Sequence, residues 1–229
     1  MVKENVLNVR RQIQQACQQA GRDPKEVTLV AVTKLAPLEA IQEAIDSGIT
    51  DIAENRVQEA EKKFPSLLAK NSQIHSHIIG HLQTNKAKDA IKVCSMIQSV
   101  DSLKLAAEIE KQATKLDKTV KVLVQFNTAR EQQKSGAAPE EALNLVEQIS
   151  QLGHVRIKGL MCMAPYTDDQ GVIRKAFSDL RLIHDQIKSR FTGHPSISTG
   201  ILSMGMSGDY KIAIEEGSTM VRVGSAIFK

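Results

Sequence analysis

Lys34 closes the run Val27-Thr28-Leu29-Val30-Ala31-Val32-Thr33, an apolar strand pattern that ends on a primary amine. An amine taken out of water is costly to keep charged, so burial lowers its pKa and makes a neutral nucleophile accessible near neutral pH. Condensation with a carbonyl requires that form. The ordinary alternative is a lysine leaving a strand into solvent. Arg222 poses a parallel question inside Met220-Val221-Arg222-Val223. A guanidinium flanked by valines in a barrel strand needs a partner, because an unpaired buried charge is expensive. That partner is either a structural carboxylate on a neighbouring strand or an atom of a ligand.

Two segments offer small residues at the ends of strands: Leu202-Ser203-Met204-Gly205-Met206-Ser207-Gly208-Asp209 and Gly224-Ser225. Small side chains let backbone N–H groups approach an anion, and a helix start after the first segment adds its positive end. Either segment alone reads equally well as a tight turn. Together they follow the last two strands of the chain, where barrels often hold a phosphate. Asp209 is an awkward neighbour for an anion and is expected to cap the next helix while pointing away. A lysine for an aldehyde, an arginine for a ring nitrogen and a phosphate cradle describe a pocket for pyridoxal 5′-phosphate (PLP). A permanently charged donor facing the pyridine nitrogen disfavours its protonation and weakens the ring as an electron sink. Such a site holds the cofactor while being poor at broad carbanion chemistry.

These residues must be positioned by alternating elements. Val6, Val9, Ile13, Ala16, Cys17 and Ala20 recur at helical spacing over residues 3–20, and Gly21-Arg22-Asp23-Pro24 stops that helix. Strands are expected near 27–33, 50–53, 75–79, 95–100, 120–126, 155–161, 197–203 and 220–223. Helices fall between them, near 37–47, 55–69, 84–91, 102–115, 139–150, 169–189 and 209–216. Pro139 fits the first turn of its helix, where a missing N–H costs nothing. Ile173, Ala176, Phe177, Leu180, Ile183 and Ile187 give the long helix after 168 one apolar face. Eight strand–helix units in 229 residues predict an α/β fold, a single (β/α)8 TIM barrel with an extra N-terminal helix. One domain over 1–229 is expected. An open doubly wound sheet is the alternative, weakened by the missing Gly-x-Gly-x-x-Gly after the first strand.

Composition removes other classes. Hydrophobic residues at 41% and charged residues at 24% are those of a globular protein with a substantial core. No apolar run is long enough for a membrane span, and the first residues lack a secretory h-region. Three distant cysteines, Cys17, Cys94 and Cys162, point to neither a disulfide framework nor a zinc site, so a reduced, cytoplasmic protein is expected. A net charge of +4 with aromatics at only 3% gives little to hold nucleic acid. His75-Ser76-His77, with His81 beyond, has no carboxylate partner in view, and no metal site is expected. Met161-Cys162-Met163 reads as barrel lining at the end of the sixth strand. The polar stretch 127–138, with Lys134-Ser135-Gly136, reads as a solvated loop that is also a candidate lid or docking surface.

Several segments carry a resemblance in order along most of the chain. They are Val30-Ala31-Val32-Thr33-Lys34, Glu54-Asn55-Arg56-Val57-Gln58-Glu59, His77-Ile78-Ile79-Gly80-His81-Leu82-Gln83-Thr84-Asn85-Lys86, Lys134-Ser135-Gly136, Gly159-Leu160-Met161 and the stretch from Ser203 to Phe228. The sequence resembles the YggS/PROSC family of pyridoxal phosphate homeostasis proteins. The resemblance implies a barrel like the N-terminal domain of alanine racemase, PLP bound as a lysine aldimine, no established reaction, and a monomer. It further implies that Lys34 bonds the cofactor, Arg222 faces the pyridine nitrogen, and Ser207, Gly224 and Ser225 hold the phosphate. Asn55 would approach the ring or its hydroxyl, Ser203 and Met204 would line the pocket, and His77 matches a family histidine. Taken without the family, Asn55 reads equally as a cap of the helix that follows it. The chain departs from the family at Ala53, Ser76, Gln98 and Lys229, where glycine, tryptophan, histidine and glycine are usual.

The leading expectation is a carrier or buffer of PLP that delivers it to PLP-dependent apo-enzymes, without robust catalysis and without nucleic-acid or membrane partners. A racemase of the alanine racemase type is the alternative. It needs proton donors on both faces of a substrate carbon, and Lys34 supplies only one. An aldolase-like barrel with a carbonyl-attacking lysine, or a protein whose main role is binding a partner, complete the set.

Overall fold

Val6, Val9, Ile13, Ala16 and Cys17 fall on one face of a helix, and that face is buried. Each fully buried valine or isoleucine there contributes about 1.5–3 kcal/mol relative to exposure. In the computed structural model, which describes residues 1–131 and 135–229, this helix is α1 (Val2–Gln19). It packs on elements near the C-terminus through Asn5 Nδ2, which donates to the Ile227 carbonyl at 3.0 Å, and Gln12, which accepts from the Tyr210 hydroxyl at 2.7 Å.

Eight strands follow: β1 (Thr28–Val32), β2 (Asp51–Glu54), β3 (His75–Ile78), β4 (Met96–Val100), β5 (Val120–Gln125), β6 (Val155–Met161), β7 (Ile197–Met206) and β8 (Met220–Val223). All pair in parallel in sequence order, and β8 returns to β1, so the sheet closes into a barrel. The helices between them are α2 (Leu38–Asp46), α3 (Val57–Lys70), α4 (Ala87–Val93), α5 (Leu103–Lys115), α6 (Ala142–Ser150), α7 (Gln170–Arg190) and α8 (Tyr210–Glu215), with a final turn α9 (Ser225–Phe228). Helix starts are fixed locally: Ser102 Oγ accepts from Leu105 N–H, and Asp169 Oδ1 accepts from Gly171 and Val172 N–H. Pro139 opens a single 3₁₀ turn that leads into α6, as its missing N–H allows. No helix among the described residues is long and apolar enough to cross a membrane.

The core divides in two, as alternation in closed strands demands. One large cluster joins outward-facing strand residues such as Ile52, Ile78, Ile97 and Val122 to the helices. Two small clusters fill the interior, Val30 with Ala53 and Met220, and Met96 with Leu123 and Met161. Arg222 pairs in register with Val30 and lies two residues beyond Met220, on this inner face.

β7 runs three residues past its expected end at 203. Ser203 pairs with Met220 and Met206 with Arg222, so β7 carries one residue more than β8 across this stretch. Gly205 takes up the irregularity at φ 98°. A Cβ there would stand 2.8 Å from Tyr210 Cα and 2.7 Å from Ala213 Cβ, so α8 sits directly on the bulge. Gly205→Ala is therefore expected to destabilise the fold by about 2–4 kcal/mol in urea unfolding, from left-handed strain plus overpacking. Gly208→Ala, which meets nothing within 4 Å, is expected to change stability by less than about 0.5 kcal/mol. Equal effects of the two changes would show that the bulge does not depend on glycine.

Candidate functional site

Lys34 follows β1 by two residues and is exposed, so the expected burial of its amine is not found. The strand ends at Val32, and a turn begins at Lys34-Leu35 with Leu35 at φ 64° and 95% exposed. A reactive amine here rests on its neighbours rather than on burial. By strand parity Lys34 continues the series Val30, Val32, whose first member lines the interior.

Thr33, immediately before it, is held firmly. Its N–H donates to the Ala53 carbonyl at 2.9 Å, and its hydroxyl, 3.1 Å from that carbonyl, donates to Glu54 Oε1 at 2.7 Å. Lys63 of α3 donates to that same Oε1 at 2.8 Å and to the Thr33 carbonyl at 2.9 Å. Glu54 is 1% exposed. A buried carboxylate satisfied by an ammonium and a hydroxyl thus fixes the backbone from which Lys34 projects.

Asn55 follows β2 and is exposed at the same end. It does not cap α3: the N-cap is Arg56, with no side-chain cap bond. Asn55 and Arg56 share a mixed polar and apolar cleft of about 460 Å³ with Val57, Glu59, His81 and Leu82.

Arg222 is 3% exposed. Its Nη1 donates to Ser203 Oγ at 2.6 Å and its Nη2 to the Cys162 carbonyl at 2.9 Å. Burial holds its pKa below the ordinary guanidinium value, while Cys162 and Asp209 act the other way. Among the described residues no carboxylate comes within ion-pair distance of it, so the structural ion pair weighed for it is absent. A permanent charge has been taken from water with neutral oxygens as its hydrogen-bond partners.

Ser203 lies at the centre of a wider arrangement. Its hydroxyl donates to Gln98 Oε1 at 2.7 Å, Gln98 Nε2 lies 3.1 Å from His77 Nδ1, and His77 Nε2 lies 2.9 Å from Asp51 Oδ1. Burial pushes the Asp51 carboxyl up, but hydrogen bonds from His77 and Thr50, with the His77 and His75 imidazoles close by, outweigh it and leave it below its ordinary value. His77 thus has both ring nitrogens engaged inside the barrel. Met204, by contrast, is fully buried in the cluster shared with the helices, so only its main chain faces the mouth. Cys162 lies in that same cluster, and burial pushes its thiol up to about 12. Met161 does line the interior.

The loops after β7 and β8 meet. Gly224 N–H donates to Ser207 Oγ at 3.3 Å, and a Cβ on Gly224 would stand 3.1 Å from the Val32 carbonyl, so this loop lies against the end of β1. Ser225 is exposed beside it. Asp209 turns back on its own loop, accepting from Met206 N–H, and its side chain makes no cap bond to α8. Lys134 lies outside the described residues; its neighbour Ser135 offers a carbonyl to Gln125 Nε2 at 2.9 Å. No group of three His, Cys, Asp or Glu that could hold a metal occurs among the described residues.

Of the nine residues that sequence reasoning named, Lys34, Asn55, Ser207, Gly224 and Ser225 follow the C-terminal ends of β1, β2, β7 and β8, Ser203, Arg222 and His77 lie within β7, β8 and β3, and Met204 turns its side chain to the helices. That reasoning missed Asp51, Glu54, Lys63 and the role of Gln98. The available signal was two acidic residues within the four-residue strand Asp51–Glu54, where each needs a buried partner.

A closed parallel barrel with a buried cation inside and an amine at its mouth defines a (β/α)8 protein built to hold a small anionic molecule. The chain belongs to the alanine racemase N-terminal domain family, whose match spans residues 5–229, and within it to the pyridoxal phosphate homeostasis proteins. A pyridoxal phosphate homeostasis protein of Pasteurella multocida is 38% identical over 227 residues, covering 99% of this chain and 96% of that one. The crystal structure of an unknown protein from Bifidobacterium adolescentis superposes with a TM-score of 0.95 at 38% identity, covering 99% of this chain and 94% of the other. PipY of Synechococcus elongatus, solved with PLP bound, has a TM-score of 0.85 at 32% identity over 100% of both chains.

Asp51 carries a pH dependence. A carboxyl whose folded pKa is depressed contributes stability that is fully present above its unfolded value, about 3.9, and lost as pH falls through the folded value. Urea midpoints measured from pH 6 down to pH 3 are expected to fall more steeply for the wild type than for Asp51→Asn. Parallel slopes would mean that the carboxylate gains nothing from His77 and Thr50.

Proposed function

We propose that this chain is a carrier and buffer of pyridoxal 5′-phosphate in the cytoplasm, holding the cofactor on Lys34 and supplying it to apo-enzymes as a monomer without robust catalysis of its own. The observation that carries the reading is Arg222, a buried guanidinium with no carboxylate within ion-pair distance among the described residues. A pyridine nitrogen left unprotonated is an acceptor of the kind such a donor lacks. Family membership and the PLP bound by PipY support the same reading.

The residues fit the group at each of its ends. When bound, PLP supplies an aldehyde for condensation with an amine and a pyridine ring that can withdraw electrons. Lys34 provides that amine, from a backbone fixed through Thr33, Glu54 and Lys63. Arg222 donates toward the ring nitrogen and keeps a proton off it, which limits electron withdrawal. The Ser207 hydroxyl, whose oxygen already accepts from Gly224 N–H, has its proton left for a phosphate oxygen. Gly224, lacking a side chain, keeps this loop against the end of β1, and Ser225 would supply a backbone N–H and a second hydroxyl. Asn55, exposed after β2, would approach the ring or its hydroxyl from that side. Ser203 and His77 act behind Arg222, and Met204 contributes its main chain.

The racemase alternative needs a second acid–base group facing Lys34 across a substrate. Within the barrel, His77 has both nitrogens committed to Asp51 and Gln98, and the Cys162 thiol lies in the cluster shared with the helices, pushed up to about 12 by burial. Neither is placed to exchange a proton with substrate, which favours the carrier.

Titration of the purified chain with PLP should yield a yellow protein whose visible band is lost in Lys34→Ala and displaced more by Arg222→Glu than by Ser225→Ala. The pair Ser207→Ala with Ser225→Ala should weaken PLP retention about tenfold or more, as expected for loss of charge-assisted hydrogen bonds. A chain that stays colourless with excess PLP would instead fit an aldolase. Robust racemisation of an amino acid, abolished by Lys34→Ala, would replace the carrier with an enzyme.

A further inference from the structure

Five buried side chains from five strands form one file across the barrel: Arg222 of β8, Ser203 of β7, Gln98 of β4, His77 of β3 and Asp51 of β2. As the Gln98 amide is placed, with Oε1 toward Ser203 and Nε2 toward His77, the file reads in one direction. Arginine can only donate, so Ser203 Oγ accepts from Nη1 at 2.6 Å. The one serine proton then goes to Gln98 Oε1 at 2.7 Å. That turns the amide NH₂ toward His77 Nδ1 at 3.1 Å and Met220 Sδ at 3.2 Å. An amide nitrogen cannot accept, so Nδ1 is the acceptor and carries no proton. The remaining imidazole proton sits on Nε2 and is donated to Asp51 Oδ1 at 2.9 Å, a carboxylate that also accepts from Thr50 at 2.8 Å.

We propose that Gln98 is a positioning residue that sets the polarity of this file, fixing His77 as the neutral Nε2–H tautomer and holding Ser203 as an acceptor on Arg222. The guanidinium is thereby locked in orientation, with N–H groups beyond the two spent on Ser203 and the Cys162 carbonyl left for a ligand. Only this last step rests on the reading of the site as a PLP pocket; the polarity of the file does not. The Gln98 amide is bonded to Ser203, His77 and the Met220 sulfur, and its positioning role runs through Ser203 and His77.

The substitutions follow from donor counting. Leucine at this position removes the bonds to Ser203 and His77 together with the contact to Met220 Sδ. A glutamate, when ionised, only accepts, and so calls for a proton on His77 Nδ1 as well as Nε2. A neutral histidine offers one acceptor and one donor and can restore the direction.

The test begins without cofactor. Long-range ¹H–¹⁵N spectra of the imidazoles in the intact chain, with the His77 signal assigned by its loss in His77→Gln, should show Nδ1 unprotonated and Nε2 protonated at neutral pH. Gln98→Glu should convert His77 to the doubly protonated form. A wild-type His77 that is already doubly protonated, or protonated on Nδ1, overturns the proposal. In the PLP-loaded chain, Gln98→Leu should displace the visible band in the same direction as Arg222→Leu, and Gln98→His should return it to the wild-type position. A Gln98→Leu protein that binds PLP with an undisplaced band removes the positioning role. Should Gln98→Leu fail to fold, Gln98→Glu and the wild-type spectrum still decide the polarity. Wild-type protein that fails to bind PLP contradicts the carrier reading alone and leaves the tautomer measurement standing.

Discussion

The constraint on which the rest depends is a guanidinium inside a closed sheet. Arg222 has been desolvated between valines, and its two bonds go to a serine hydroxyl and a main-chain carbonyl rather than to a carboxylate. Such a charge is tolerable when its surroundings are fully organised, because a buried polar group left unsatisfied costs about 1–3 kcal/mol, and more when charged. The barrel meets this with a file of side chains that runs by way of β7, β4 and β3 to the Asp51 carboxylate of β2. The ends of the file carry opposite charge, and its centre is neutral. Such an arrangement orients the cation without cancelling it, which leaves it available to a ligand at the mouth.

The same logic operates at the edge of the barrel. Lys34 is exposed, so its chemistry relies on placement. Thr33 is fixed by β2 on one side and by Lys63 of α3 on the other, with the buried Glu54 carboxylate joining them. The loops after β7 and β8 close the opposite side, drawn together by Gly224 N–H and Ser207 Oγ, and seated against Val32 where Gly224 has no side chain. The amine, the cation and the small-residue loops are therefore carried by β1, β7 and β8, which are neighbours in the closed sheet. Their proximity is a property of the barrel before any ligand arrives.

Much of this was legible in the chain because it is written in local periodicity. Ile173, Ala176, Phe177, Leu180, Ile183 and Ile187 mark the buried face of α7 by spacing alone, and that face is buried as expected. The eight strands and their order follow from similar runs. The end of β7 was not legible, because Met204-Gly205-Met206 reads as loop while the chain there continues as a bulged strand. The exposure of Lys34 was missed for the opposite reason: the apolar run continues through Thr33, but the strand ends at Val32 and Leu35 turns the chain at φ 64°. Gln98 stood out only as a departure from a family pattern. Its partner Ser203 is 105 residues away, and no local rule joins two such positions until the barrel has closed. Non-local polar pairing is the part of a site that sequence periodicity does not encode.

The central claim is that the amine of Lys34 is where this barrel bonds its cofactor. Its most direct test is borohydride reduction of the PLP-loaded chain, followed by proteolysis and peptide mass spectrometry. The account predicts a pyridoxyl adduct confined to the peptide that carries Lys34. An adduct on a different lysine, or none at all with PLP in excess, would contradict it.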